Sequence, residues 1–383
     1  MSKLSRPIRV ILSGGGTGGS VRPLLTLADF LHKSNPDWEL VFVGTKDGPE
    51  REMVAELTWP LKFIVLISGK WRRYFSFKNF LDIFKIIWAL RESWVFLKNK
   101  PTDLIISAGS FASVPLVWIA GLKKIPVLIH QQDSRPGLAN RLMAPFARAI
   151  TVTFEKSLLD YGPKAIWSGN PLDQESLSQA QSSKVETRSY YNLRTDRPLV
   201  LVIGGATGSA GINDLIYQAQ SKLTDFCQII HLSGRGKQPN DIYSVSHLKE
   251  GIAQTESFFL GYQTFEFLQN FEVLKLMATA DLVVSRSGLS TLTELAALAK
   301  PAILIPMPGS HQEDNALIFE RAQAAIVLKQ TELTVATLTD VILRTLQDPA
   351  LLQKMANNIS KVIKRGAIEN MAAVVQEMVK RND

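Results

Sequence analysis

Cysteine is almost absent from this chain, with Cys227 the one thiol among 383 residues. That excludes a disulfide framework and a cysteine-rich metal site, and it suits a reducing compartment. Cys227 lies in the apolar run Phe226-Cys-Gln-Ile-Ile230, where a buried strand residue is expected rather than a nucleophile. No Asp-x-Asp pair marks a metal site, and the adjacent Glu313 and Asp314 would be pointed apart by a helix. No apolar signal core follows Met1, so export is not expected. Acidic residues are outnumbered, 35 against 43 basic, leaving a net charge of +8 that suits anionic partners: nucleic acid, phospholipid or a phosphorylated substrate. No nucleic-acid-binding module accompanies the charge, which speaks against the first of these.

Apolar residues make up 46% of the chain, ample for the two domains its length suggests. Strand-length apolar runs recur at 10–12, 40–43, 61–67, 104–107, 127–130 and 149–153, with helical segments between them. A second series follows at 199–203, 228–232, 258–261, 282–285, 302–305 and 325–328. Such alternation predicts parallel sheets covered by helices: an α/β chain of two Rossmann-like domains. The boundaries read as 1–168, a hinge at 169–174, 175–350, and helices over 351–383 that cross back to the first domain. The segment 70–90 mixes aromatics with cations, the composition of an interfacial helix and its approach loop, and Trp71, Arg72, Arg73, Tyr74, Phe75 and Phe77 read as membrane-facing. An ordinary amphipathic helix on the sheet is the alternative. Lys78, Asp82, Lys85, Arg91 and Glu92 forbid a transmembrane span there.

Five glycines, Gly14, Gly15, Gly16, Gly18 and Gly19, stand at one strand-to-helix turn. Glycines there permit φ > 0 and expose N–H groups at a helix N-terminus, where the macrodipole favours an anion such as a phosphate. A Walker loop would end in Gly-Lys-Ser/Thr, but Gly19 is followed by Ser20 and Val21. A dinucleotide fingerprint matches formally, yet the acid expected at the end of the second strand is missing. A tight turn that binds nothing is the plain alternative. A second strand-and-glycine turn, at 199–211, echoes the first. Further on, Ser285-Arg-Ser-Gly-Leu-Ser-Thr-Leu-Thr-Glu294 leaves a strand and enters a helix whose first turn carries Ser290, Thr291 and Thr293. Those groups could hold a diphosphate, and Glu294 could take both hydroxyls of a ribose, although a capped helix would look the same. The segment 306–317 then sets His311, Gln312 and Asn315 at the next helix start.

Taken together, Gly15-Gly-Thr-Gly-Gly19, 107–115, His130-Gln-Gln-Asp133, Pro136-Gly-Leu-Ala-Asn-Arg141, Gly169-Asn-Pro171, 204–208, 287–294 and Gln312-x-x-Asn-Ala316 resemble the MurG family of glycosyltransferases in order and spacing. The resemblance implies a GT-B fold, with two parallel sheets facing across a cleft. It implies an inverting hexosyltransferase that moves N-acetylglucosamine from UDP-N-acetylglucosamine to lipid I in peptidoglycan synthesis, with no cofactor and no active-site metal. It implies a peripheral place on the cytoplasmic face of an anionic membrane, with cell-wall synthesis proteins as further partners. Thr291 would meet the donor diphosphate, Glu294 the ribose, and Gln312 with Asn315 the sugar, with Ser290, Thr293 and His311 also on the donor side. Thr17, Gly18 and Gly19 would face the donor sugar and acceptor pyrophosphate, while Gly16, Ser20, Phe111, Gln131 and Asn140 would serve the acceptor. A uracil pocket is expected around 269–271.

The departures from that pattern are specific. Ser20 stands for a His, Phe111 for a Tyr, Gln131 for a Glu, Asp133 for an Asn, Asp173 for an Arg and Ala206 for a Ser. An inverting transfer needs a proton acceptor, and serine is a poor base at neutral pH. Asp133 and His130 are the substitutes, with His311 a third. A transferase for another lipid-linked acceptor, or a UDP-sugar-binding membrane protein without turnover, is the alternative reading.

Overall fold

The computed structural model describes residues 6–16, 18–66, 78–205, 208–237 and 261–380. The membrane-facing residues 71–77, Thr17 and Ala206 lie outside them. The chain divides into two compact units, Met1–Leu172 with Lys364–Asp383, and Asp173–Ile363.

The first unit is built on a seven-stranded parallel sheet ordered β3-β2-β1-β4-β5-β6-β7. Its strands are β1 (Arg9–Ser13), β2 (Glu39–Gly44), β3 (Lys62–Val65), β4 (Leu104–Ser107), β5 (Val127–Gln131), β6 (Ala149–Val152) and β7 (Ala165–Trp167). Its helices begin with α1 (Gly18–Ser34), α2 (Glu50–Ala55), α3 (Lys78–Asn99), α4 (Ser113–Leu122), α5 (Leu138–Met143) and α6 (Leu158–Tyr161). The period-2 geometry of β1 sends Val10 and Leu12 to one face, against Leu24, Leu27 and Phe42, and Ile11 to the other, against Leu116, Val117 and Ile129. Both faces are covered, which is why these strands read as unbroken apolar runs. β7 was not anticipated, because its three residues follow a Gly162–Pro163 turn and carry too little pattern to register.

The second unit holds a six-stranded parallel sheet ordered β10-β9-β8-β11-β12-β13. These strands are β8 (Leu199–Ile203), β9 (Gln228–Leu232), β10 (Tyr262–Phe265), β11 (Leu282–Ser285), β12 (Ala302–Leu304) and β13 (Ile326–Val327). Around it lie α7 (Gln174–Ser182), α8 (Lys184–Tyr190), α9 (Ala210–Leu223), α10 (Asn270–Thr279), α11 (Leu289–Ala297), α12 (His311–Arg321), α13 (Val335–Leu346) and α14 (Pro349–Val362). Of the strand expected at 258–261 only Gly261 is described, and the strand that pairs with β9 just beyond it is β10. Gly261 has φ +74° and accepts from Ile229 N–H at 2.7 Å, and the described pairing with β9 runs from Tyr262 to Phe265. Residues 258–260 lie outside the described residues.

The last helix, α15 (Ala367–Lys380), packs on α1 and β4 of the first unit and sends Met371, Val375 and Met378 into its core. The expected return of 351–383 is divided differently, since α14 packs on α11, α12 and α13. The chain enters the last stretch through Lys364, whose carbonyl would collide with any Cβ at Gly169 (φ +83°). Asn370 fastens the same stretch by donating to the Ser168 carbonyl at 3.1 Å.

Candidate active site

In a parallel sheet all the loops after the strands emerge at one edge, and ligand crevices form there. At that edge of the first unit, Gly16 takes φ +88° and α1 starts at Gly18 with no acidic residue in its first turn. Gly16 and Gly19 are exposed. Ser20, expected to face an acceptor, is buried and donates its hydroxyl to the Gly15 carbonyl at 3.3 Å. It closes the turn instead of meeting a ligand.

The loop after β5 is organised by Gln131. Its amide donates to the carbonyls of Asp133 (2.7 Å) and Arg135 (3.0 Å), while its oxygen accepts from Asn140 (2.6 Å) and Tyr161 (2.9 Å). With both its donors and its acceptor used and its surface 2% exposed, Gln131 is a scaffold for the loop. Asn140 is buried beside it, close enough that a Cβ at Gly109 would stand 2.6 Å from its Oδ1. Neither residue is presented as an acceptor contact. Phe111 is half-buried and packs with the core layer that holds α4.

His130 is withdrawn as well. It is fully buried, with Nδ1 3.1 Å from the Thr151 hydroxyl and Nε2 3.0 Å from Asn170 Oδ1. Burial pushes its pKa down to about 4, against weaker support from those two partners, so the ring is neutral at physiological pH. A base must reach the proton it takes. His130 instead ties β5 to the Gly169-Asn170-Pro171 segment. Asp133, half-buried on the loop just beyond, keeps a surface that water reaches. The same loop touches α1, because Gln132 Nε2 donates to the Ser20 carbonyl at 3.5 Å.

At the corresponding edge of the second unit, Gly205 (φ +91°) and Gly208 (φ +68°) shape the turn after β8. A Cβ at Gly208 would collide with the Ser233 carbonyl. Arg286 spans three loops, donating to the carbonyls of Ile305 (2.9 Å) and Pro306 (3.0 Å) and to Ser209 Oγ (2.7 Å). No carboxylate among the described residues pairs with it, and burial lowers its pKa. Asp173, where the family pattern has Arg, caps α7 by accepting from the backbone N–H of Glu175 and Ser176 at 3.0 and 3.2 Å.

The start of α11 has Gly288 at its cap, which offers no side chain to the first N–H groups, and Ser290 and Thr291 are half-exposed. Thr293 is different, since its buried hydroxyl donates back to the Leu289 carbonyl at 2.7 Å. Glu294 is buried in the next turn. Gln312 joins the loop after β12 by accepting from Met307 N–H at 3.1 Å, and its own carbonyl accepts from Ser287 Oγ at 2.7 Å. Asn315 is fully buried and donates to the Ser287 carbonyl at 3.5 Å, so it braces the α11 turn from behind. His311 is exposed as the first residue of α12. At the expected uracil position, the backbone N–H of Gln269 is taken by Glu272 in the opening turn of α10. The exposed aromatic is Phe267, with the Arg235 guanidinium 4.5 Å over its ring. Among the described residues no cluster of three His, Cys, Asp or Glu side chains could hold a metal ion.

Two parallel α/β units, each with a glycine turn after its first strand, define the GT-B class of glycosyltransferase folds. The sequence patterns of the glycosyltransferase family 28 N-terminal and C-terminal domains match residues 10–152 and 199–371. A Clostridium botulinum protein named UDP-N-acetylglucosamine--N-acetylmuramyl-(pentapeptide) pyrophosphoryl-undecaprenol N-acetylglucosamine transferase is 33% identical, over 97% of this chain and 99% of its own. Its namesake from Clostridium kluyveri is 35% identical over 87% and 89%. Among solved structures, Acinetobacter baumannii MurG superposes with a TM-score of 0.72 at 23% identity, covering 97% of this chain and all of that one. A Neisseria meningitidis UDP-GlcNAc 2-epimerase gives 0.67 at 14%, over 97% and 100%, so at these identities the likeness concerns the fold alone. This chain belongs to glycosyltransferase family 28, within its MurG branch.

Proposed function

We propose that the chain is an inverting hexosyltransferase that moves N-acetylglucosamine from UDP-N-acetylglucosamine to lipid I, forming the β1,4 bond of lipid II. The observation that carries this is likeness to transferases of that name across 97% of the chain, with both glycine turns inside the family 28 regions.

In this reading the first unit serves the acceptor. Gly18 and the exposed Gly19 meet its pyrophosphate at the positive end of the helix dipole, while Gly16, whose N–H is held by Glu50, shapes the turn that leads into α1. Asp133 takes the proton of the muramyl 4-hydroxyl as that oxygen attacks the anomeric carbon. The bond from that carbon to the diphosphate breaks, and UDP leaves with the electron pair. The second unit serves the donor. The open start of α11 with Ser290 and Thr291 receives the diphosphate, Glu294 the ribose, and Gln312 and the exposed His311 the sugar. Arg286, charged and with no acidic partner among the described residues, offsets the charge that develops on UDP, a role that Asp173 cannot fill.

Among the described residues no helix is long and apolar enough to cross a membrane. A peripheral membrane position is supported by α3, which exposes Ile87, Trp88, Trp94 and Val95 with Arg91 5.6 Å over the Trp88 ring.

The test is UDP release by the purified protein from UDP-N-acetylglucosamine with a short-chain lipid I analogue, beside a control without acceptor. Acceptor-dependent release is expected. Donor binding with no release on this or any other lipid-linked acceptor would overturn the assignment.

A further inference from the structure

Beneath the turn after β1 lies a carboxylate that the chemistry above does not use. Glu50, the first residue of α2, is fully buried, yet no cation pairs with it among the described residues. Ordinarily a buried carboxylate is paired, because isolating the charge is expensive. Here three neutral donors hold it. Oε1 accepts from the backbone N–H of Thr45 at 2.7 Å and from the Thr45 hydroxyl, and Oε2 accepts from Gly16 N–H at 3.4 Å. The chain makes room for it with glycines: a methyl group at Gly15 would stand 2.5 Å from Oε1, one at Gly44 2.7 Å from Cγ, and one at Gly48 closer still. Glycines on two separate loops are thus shaped around one side chain.

We infer that Glu50 is the positioning residue of the glycine turn, its carboxylate hooking Gly16 to the loop after β2 and so fixing the amides of the α1 N-terminus toward the acceptor pyrophosphate. This rests on the functional reading above. The geometry separates the hook from mere filling of space. Thr45 uses one oxygen and Gly16 the other, so Glu50→Gln can keep the Thr45 bonds while turning the Gly16 acceptor into a donor. That unhooks the turn with no change of size.

Steady-state kinetics of E50Q with the lipid I analogue should show acceptor KM raised roughly tenfold or more, while UDP-N-acetylglucosamine binding by calorimetry stays within about twofold. Hydrogen exchange of the 13–20 peptide should quicken, with peptides of the second unit unchanged. A folded E50Q with wild-type acceptor KM and wild-type exchange would overturn the inference, as would an equal loss of donor affinity. If E50Q does not fold, Thr45→Val removes one bond to the same carboxylate and should raise acceptor KM by a smaller factor; no rise there overturns it too. Should the wild-type enzyme release no UDP, the functional reading fails, and the exchange comparison still decides whether Glu50 holds the turn.

Discussion

Two residues separate His130 from Asp133, and the pair divide the work of the β5 loop. His130 is sealed in with both nitrogens engaged, whereas Asp133 is reached by water. Asp133→Asn keeps the shape and removes the proposed proton acceptor, so the transfer rate should fall about 10²- to 10⁴-fold with donor affinity intact, read by single-turnover assay and calorimetry. A loss below about threefold would pass the base role to another group. His130 predicts a pH effect on stability instead. Its folded pKa of about 4 lies below the ordinary 6.5, so the unfolded chain binds the extra proton between those values. Stability is therefore full above pH 6.5 and declines as pH falls toward 4, by on the order of 3 kcal/mol from this residue. His231, buried in the second unit with its pKa pushed to about 3, adds a loss of the same sign. Urea unfolding across that range should show the decline, and His130→Asn should flatten part of it.

The parallel sheets were legible because their strands are apolar on both faces; β1, β4 and β5 need no partner information to be recognised. What went unread was short, namely β7, whose three residues follow the Gly162–Pro163 turn. At the site the glycine turns could be read, since φ > 0 and close backbone approach leave few other residues possible. The direction in which polar side chains point could not. Gln131 at the end of β5, Asn140 in the first turn of α5, and Thr293 and Asn315 near the starts of α11 and α12 suit a ligand by position, yet each folds inward to a carbonyl or amide of its own unit. A sequence shows that a donor is present, but not which acceptor the fold brings near. The role of α15 likewise needs the structure. Met371→Ala should cost the first unit about 2–5 kcal/mol in urea unfolding, because its side chain is fully enclosed with Leu24 and Leu31. A cost near zero would mean that α15 contributes little to that core.

For the whole molecule, a net charge of +8 and an apolar stripe point to the same kind of surface. Ile87, Trp88, Arg91, Trp94 and Val95 recur at helical spacing along the exposed side of α3. Leu122 is exposed at the end of α4, and Lys123 beside it sets its ammonium 4.1 Å over the Trp94 ring. Apolar rings flanked by cations suit the headgroup boundary of an anionic bilayer, where ring burial and charge attraction add. Each contribution leaves its own signature. Trp88→Glu with Trp94→Glu should abolish flotation with vesicles containing anionic lipid, while UDP release from a soluble acceptor analogue stays within about twofold. Raising salt should weaken the wild-type interaction, because a Debye length falls from about 10 Å at 0.1 M to 3 Å at 1 M, but should leave the part that depends on the rings. Binding that salt removes completely would assign the interaction to charge alone, and binding indifferent to the double substitution would place the membrane surface elsewhere on the chain.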